Sequence, residues 1–487
     1  MKHILFSIFI LSGFISNAQV GIGTNIPNAS AALEIKDSLK GFLPPRMKTM
    51  EREAIINPAE GLVVYDKDRK ALFLFNGTQW NMLQTADALS VNSFSNYQYT
   101  VPPDIIPESE FYADKLGISV AISGSFAFIG AEGFNSRTGY VLVYKRTGDE
   151  WKFFQAITPN VAVNGMKFGS VIKAKDNYLF ISAPNDMNAS AVMSGAVYVY
   201  FFNGTGWTLQ TKLTPSSGVA NGEFGKLTDA NANADQLVVY GKGNSLVNVF
   251  KRTGNIWGVP QFFTLDDVAD VAIHPNGDAL AFGVITPSEL INLTTYNNPG
   301  HVAFYLKTGA NYTFSTNIIN PSPVNEDRFG TKILFANNYD PFYYILLAGS
   351  NKQLNIGNIS ISNPAIYDFS GNYTTVFDGN NGFGKWISKT DPYIDNFYSS
   401  GLGEYFFAGD NEKIGIYGYG GSAPWFSEKG ASINLPETVS LINFGTKYSM
   451  DTWASSASGF STSPCYIVIG TPYANNGKGG FYFLKFQ

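Results

Sequence analysis

A unit of about fifty residues recurs along most of this chain, and recurrence at that period leaves few folds open. Its clearest copy runs from Gly165 to Pro215 and contains four short apolar runs, each closed by turn residues. Phe168-Gly169 opens the first run, Ser170 to Lys173. Asn177 turns into the second, Tyr178 to Ala183, which Pro184 stops. Gly195 opens Ala196 to Phe201, and Gly204 turns into Trp207 to Leu213. Ala196, Tyr198 and Tyr200 alternate with Val197 and Val199 between Gly, Asn and Pro, a pattern that marks strands and hairpins. Four consecutive strands make one up-and-down sheet with two uncovered faces, so it needs neighbours like itself.

The neighbours are present. Leu116-Gly117, Phe168-Gly169, Phe224-Gly225, Phe329-Gly330, Phe383-Gly384 and Phe444-Gly445 each open a unit, and a further unit without the pair begins near Asp267. A Gly followed three residues later by an aromatic recurs at Gly148/Trp151, Gly204/Trp207, Gly254/Trp257 and Gly309/Tyr312. A recurring position argues for architecture, so Trp151, Trp207 and Trp257 are expected to pack at an outer hairpin. The text FG-x-SVAISG, then G-x-hYVY, then G-x-x-W resembles the FG-GAP repeats of bacterial exported proteins, distant relatives of the integrin α-subunit blades. The resemblance covers roughly residues 95–487. It implies an all-β fold: a seven-bladed β-propeller of four-stranded antiparallel blades over 91–487, with blades starting near 116, 168, 224, 267, 329, 383 and 444. The last unit holds three strands. Residues 96–102 read like Phe153 to Pro159 and are expected to add the outer strand of the last blade, removing its open edge.

The start of the chain differs. Residues 1–18 join Lys2 and His3 to the apolar stretch Ile4 to Ile15 and the small-residue end Ser16-Asn17-Ala18, which reads as a secretory signal peptide. That run is too short for a permanent anchor, and no later segment reaches eighteen unbroken apolar residues. The expectation is an exported protein, secreted or at the cell surface, with no transmembrane anchor. Residues 19–90 form a small, mainly-β N-terminal domain and linker. Val20-Gly21-Ile22-Gly23-Thr24, Gly41 to Arg46, Gly61 to Asp66 and Asn76 to Trp80 resemble a module at the head of Bacteroidota exported proteins and segments of phage tail fibres. Fibre-like pieces bury their faces against partner chains, so a homo-oligomer through 19–90 is expected.

Chemistry is sparse. Net charge is −5 with no basic tract, so nucleic-acid binding has no electrostatic footprint. The sole cysteine, Cys465, has no partner for an internal disulfide and reads as a small core residue. His3 lies in the signal, His274 precedes the turn Pro275-Asn276-Gly277 as a surface-loop residue, and His301 opens a strand, partly exposed. No G-x-S-x-G or phosphate-binding glycine pattern occurs. Asp229, Asn231, Asn233 and Asp235 alternate oxygen ligands in a way that suits Ca²⁺, at the place where integrin-type blades carry a calcium loop. Ala234 replaces the turn glycine there and Leu237 the distal acid, so an ordinary polar loop competes with a calcium site. No other cofactor is indicated.

Trp386, Tyr393, Trp425 and Trp453 fall off the repeating aromatic position and are placed on loops of the later blades, as contacts for a sugar or a protein. The primary functional expectation is a non-catalytic exported propeller that binds a protein or glycan as an adhesion or binding module. The alternative is a polysaccharide lyase or hydrolase using Asp267, Asp270, Glu326 or Asp327 at the channel mouth, which would need two acids to converge. The shortage of catalytic residue types favours the first.

Overall fold

The structure is a computed structural model describing residues 19–68, 71–78, 80–83, 94–100, 115–133, 137–148, 150–187, 193–215, 218–320, 322–335, 343–350, 354–360, 362–363, 367–368, 386–389, 403–409, 414–420, 426–433, 449–454, 465–470 and 479–486. The signal reading of residues 1–18 lies outside them. The chain divides into two compact units, Met1–Thr85 and Ala86–Gln487.

The small unit begins with a parallel ribbon, Val20–Ile22 paired with Leu33–Ile35. A four-stranded sheet follows in the order Arg46–Met47, Val63–Asp66, Ala71–Phe75, Trp80–Leu83, with the short helix Thr49–Glu53 between its first two strands. The backbone N–H of Thr49 donates to Asp68, and that of Lys48 to Glu51. These bonds satisfy donors that a helix start leaves open. The centre of this unit is a charge pair. Arg52 and Asp66 are both buried and 3.0 Å apart, and the guanidinium lies 4.1 Å from the Phe73 ring centre.

The large unit is all-β. Among the described residues it contains seven sheets of the same plan, with strands paired antiparallel in chain order. Their first strands are Leu116–Ser123, Ile172–Lys175, Leu227–Ala230, Val268–Ile273, Lys332–Phe335, Trp386–Lys389 and Ser449–Ala454. Each touches the next, and the last touches the first, so these strands form a closed inner ring. In the third sheet the outer position is split between Ile256–Trp257 and Gln261–Thr264. In the last sheet it is filled from far upstream: Phe94–Thr100 pairs antiparallel with Phe481–Phe486, Tyr99 opposite Tyr482 and Tyr97 opposite Leu484.

The core lies between sheets. Phe128 and Val141 of the first sheet pack with Phe168, Ile181, Tyr198 and Trp207 around the second. Across the junction of last and first sheets, Val468, Phe481 and Phe483 meet Leu142, Tyr144 and Trp151. There Trp151 stacks on Phe483 at 4.7 Å.

The Phe-Gly pair is a lock between sheets. Phe168 forms a parallel bridge with Gly139 of the preceding sheet, Phe224 with Gly195, and Leu116 with Gly479. The Phe168 N–H donates to Thr138 O at 2.8 Å, and the Phe224 N–H to Ser194 O at 3.0 Å. Gly139 has φ +85°, and a Cβ there would stand 2.0 Å from the Phe168 carbonyl oxygen, so neither conformation nor space admits a side chain. A second link joins outer strands. Gln155 Nε2 donates to Trp207 O and Gln155 Oε1 accepts from Trp207 N, both at 2.9 Å. Gln261 does the same with Tyr312, at 2.7 and 2.8 Å. The third and fourth strands also share a bulge, at Val143/Tyr144, Val199/Tyr200 and Phe304/Tyr305.

Candidate functional site

The Asp229–Asp235 segment divides its oxygens between different partners. Asp229, in the innermost strand of its sheet, accepts from the Ile273 N–H of the next sheet at 3.1 Å and lies 3.3 Å from Lys173 Nζ of the preceding one. Asn231 Oδ1 accepts from the N–H groups of Asp235 and Gln236, and Asn231 Nδ2 donates to the Asp235 carboxylate at 2.7 Å. Asn233 contributes its carbonyl to Arg252 at 3.4 Å. Ala234 adopts φ +52°, the left-handed conformation a glycine would otherwise supply. The loop docks on the next sheet: Ala232 N–H donates to Pro275 O, and Gln236 Nε2 to Gly277 O. Asn231 and Asp235 are thus brought together, while Asp229 is turned to another sheet. Among the described residues no group of three or more His, Cys, Asp or Glu is placed to hold a metal.

His274 is buried, not a surface residue, because the third and fifth sheets close over the turn that carries it. Its Nδ1 is 2.6 Å from Asp278 Oδ1, and its ring meets Phe335 and Tyr344 edge-on. Burial pushes the Asp278 carboxyl up, but the His274 hydrogen bond and charge, helped by Lys307, outweigh it, so its pKa is lowered. Tyr344 beside it is pushed up to about 12 by burial and by Asp278. His301 is buried as well, with Nδ1 3.0 Å from Glu289 Oε2. The hairpin Ser288–Ile291/Thr294–Asn297 that carries Glu289 reads in the sequence only as an insertion, and no local pattern reveals that Glu289 meets His301.

Of the acids proposed for the channel mouth, Asp270, Glu326 and Asp327 have separate side-chain partners, and Asp267 is tied through its backbone. Asp270 pairs with Lys332 at 3.4 Å and accepts from the Ile333 N–H at 3.0 Å. Glu326 accepts from Asn298 Nδ2, Asp327 is buried against Asn320, and the Asp267 carbonyl accepts from Ile285 N–H. Asp229 and Asp270 perform one task. Each accepts the backbone N–H of the following inner strand and sits beside a lysine of a neighbouring one. Four successive inner strands therefore carry Lys173, Asp229, Asp270 and Lys332, a neutral set. The recurrence of Phe-Gly gave no hint of it, because the acids sit at different offsets from the unit starts.

Trp386 and Trp453 are in strands rather than loops. Trp386 opens Trp386–Lys389 and Trp453 lies in Ser449–Ala454, both innermost strands. Trp386 follows Phe383 by three residues, as Leu227 follows Phe224 and Lys332 follows Phe329 at the start of their first strands, which is why it enters the ring. Tyr393 and Trp425 lie outside the described residues. Trp151 and Trp207 are buried and Trp257 half-buried, with its indole N–H donating to Gln210. A polar cluster that the sequence did not single out sits after the second strand of the second sheet. Asp186, buried, accepts from Tyr198 OH at 2.6 Å and Met187 N–H, and pairs with Lys212 at 2.8 Å.

The two ends of the sheets differ. First-to-second and third-to-fourth connections share one end: they include tight turns such as Gly124-Ser125 and Gly254-Asn255, and in the last two sheets the longer first-to-second stretches 390–402 and 455–464. Second-to-third connections and the crossovers between sheets leave from the opposite end, because the strands alternate in direction. That end bears the hairpin Ser288–Asn297 with Leu293 at its tip, 95% exposed. The hairpin makes it the candidate binding face, since exposed insertions on a rigid scaffold are where recognition residues sit.

Residues 21–96 match the family described as the phage tail-like trimerisation region. No curated protein matches the sequence. Solved structures similar in fold include a candidate 6-phosphogluconolactonase of Bacteroides uniformis, 13% identical, TM-score 0.46, covering 75% of this chain and 92% of that one. A protein of Lactobacillus plantarum is 11% identical, TM-score 0.46, covering 66% and 86%. The hydrazine synthase of Kuenenia stuttgartiensis is 13% identical, TM-score 0.39, covering 64% and 79%. Likeness at this level says nothing of activity. No helix among the described residues is long and apolar enough to cross a membrane.

Proposed function

We propose that this protein is an exported, non-catalytic binding or adhesion protein. Residues 1–18 direct its export. Seven FG-GAP-type blades recognise a protein or glycan at the cell surface or outside the cell, and residues 21–96 join the chains as a trimer. The observation that carries the binding reading is a rigid scaffold that presents an exposed insertion: sheets locked by Phe-Gly bridges and glutamine clamps carry the hairpin Ser288–Asn297, whose tip residue Leu293 is 95% exposed. The engagement of Asp270, Glu326 and Asp327 by separate partners supports binding over hydrolysis. The match of residues 21–96 to a trimerisation region supports assembly.

The test is a glycan-array and pull-down screen with the full secreted chain, run with calcium and with a chelator. Capture of one ligand class in both conditions is expected, because Asn231 and Asp235 satisfy each other and Asp229 is committed elsewhere. Capture only with calcium would restore Asp229–Asp235 as a metal loop. Turnover of a polysaccharide without stable capture would overturn the binding reading.

A further inference from the structure

We propose that the parallel ribbon Val20–Ile22/Leu33–Ile35 is the surface through which copies of this chain meet, its apolar face covered by the same face of the other copies; this rests on the trimeric reading above. The argument begins with side-chain parity. Successive residues of a strand point to opposite sides, so Val20 and Ile22 share one face and Gly21 lies on the other. In the second strand Leu33 and Ile35 share a face and Glu34 opposes them. The parallel register sets Val20 beside Leu33 and Ile22 beside Ile35. All four aliphatic side chains therefore stand on one face.

That face is bare in the single chain. Val20 is 53% exposed, Ile22 54%, Leu33 52% and Ile35 38%. The polar face is the one the chain covers for itself. Glu34 accepts from the Asn28 N–H at 2.5 Å, and a Cβ on Gly21 would stand 2.4 Å from Thr24 O, so the connecting loop folds back over Gly21 and Glu34. The loop thus shields the carboxylate side and presents the aliphatic side outward, the reverse of what a monomer in water would favour.

A two-stranded ribbon of three-residue strands does not hold alone in water. Within the described part of the small unit only Val64 and Phe73 are buried apolar residues, too few to anchor it. The occupant is a second copy rather than another partner for two reasons. The face is uncharged and aliphatic, so it complements itself, and it lies within or beside the stretch 21–96 that matches a trimerisation region. Identical apolar faces repeated about a symmetry axis give a closed assembly.

The test uses the full chain. Mass is measured by light scattering for the wild type and for Ile22→Glu and Leu33→Glu, with circular dichroism to confirm that the sheets persist. A wild-type mass of three chains falling to one in both variants is the expected result. In a Cys465→Ser background, pyrene on Ile22→Cys should give excimer fluorescence, while pyrene on Val259→Cys, 93% exposed in the large unit, should give none. A wild type of three chains that both glutamate variants leave intact, with no excimer at position 22, overturns the ribbon interface and leaves the trimer standing. A wild-type mass of one chain overturns both.

Discussion

At the scale of single residues, the repeated glycines divide into two kinds that the sequence writes with one letter. Gly139 and Gly195 both have φ near +85°, and a Cβ on either would meet the backbone of the following unit's phenylalanine. Gly148 also has positive φ, at +62°, but nothing lies within 4 Å of its missing side chain. Gly139→Ala is expected to destabilise by about 2–3 kcal/mol, combining left-handed strain with a backbone clash. Gly148→Ala should cost about 1 kcal/mol, the strain alone. Urea midpoints of the two variants check this, and equal shifts would mean that the bridge Gly139/Phe168 tolerates separation. The histidines teach the complementary lesson. His274 precedes a proline and a glycine, which reads as a turn, and it is in a turn. Its burial depends on Phe335 and Tyr344 of a distant unit, which no local pattern reveals.

At the scale of elements, the four-stranded sheets were legible because alternation and turn residues are local signals. The links between sheets were legible only as recurrence. Phe-Gly and the later Gly were visible as repeated letters, yet their pairing across units is a tertiary fact. The glutamine clamp was not visible at all. Gln155 and Gln261 each stand four residues after a tryptophan, but the second sheet has Thr211 there, and Gln210 serves Trp257 from the adjacent position. A glutamine in an outer strand otherwise looks like an ordinary polar residue. Its deletion has a calculable effect: Gln155→Leu leaves the N–H and C=O of Trp207 without their partner, and about 2 kcal/mol should be lost. Gln155→Glu keeps the acceptor for Trp207 N–H but sets a carboxylate against Trp207 O, so it should fall between Leu and wild type. Thermal unfolding of the three proteins orders them, and a neutral Gln155→Leu would show that the clamp only decorates the packed tryptophan. Trp386 and Trp453 lie in inner strands that the sequence hides for the opposite reason: the recurring Gly-x-x-Trp marks outer hairpins, and aromatics off that pattern read as loop residues.

At the scale of the whole large unit, the question is what keeps a ring of separate sheets shut without a disulfide. Backbone and ring contacts join the last sheet to the first. Leu116 bridges Gly479, Trp151 stacks on Phe483, and the Arg146 guanidinium lies 3.8 Å from the Tyr466 ring centre. The strand Phe94–Thr100 then completes the last sheet and covers an edge that would otherwise offer unpaired N–H and C=O groups. In an antiparallel pair, neighbouring residues alternate between bonding inward and facing out. Proline at two successive positions of this outer strand must therefore strike a ladder bond once. Gln98, opposite Phe483, and Tyr99, opposite Tyr482, are the positions to use. One of Gln98→Pro and Tyr99→Pro should lower the urea midpoint and raise the aggregated fraction, because it frees the edge of Phe481–Phe486, while the other should do so less. Equal behaviour of both variants and the wild type would mean that the ring is held by the contacts between the last and first sheets without this strand, which would then be a passive cover.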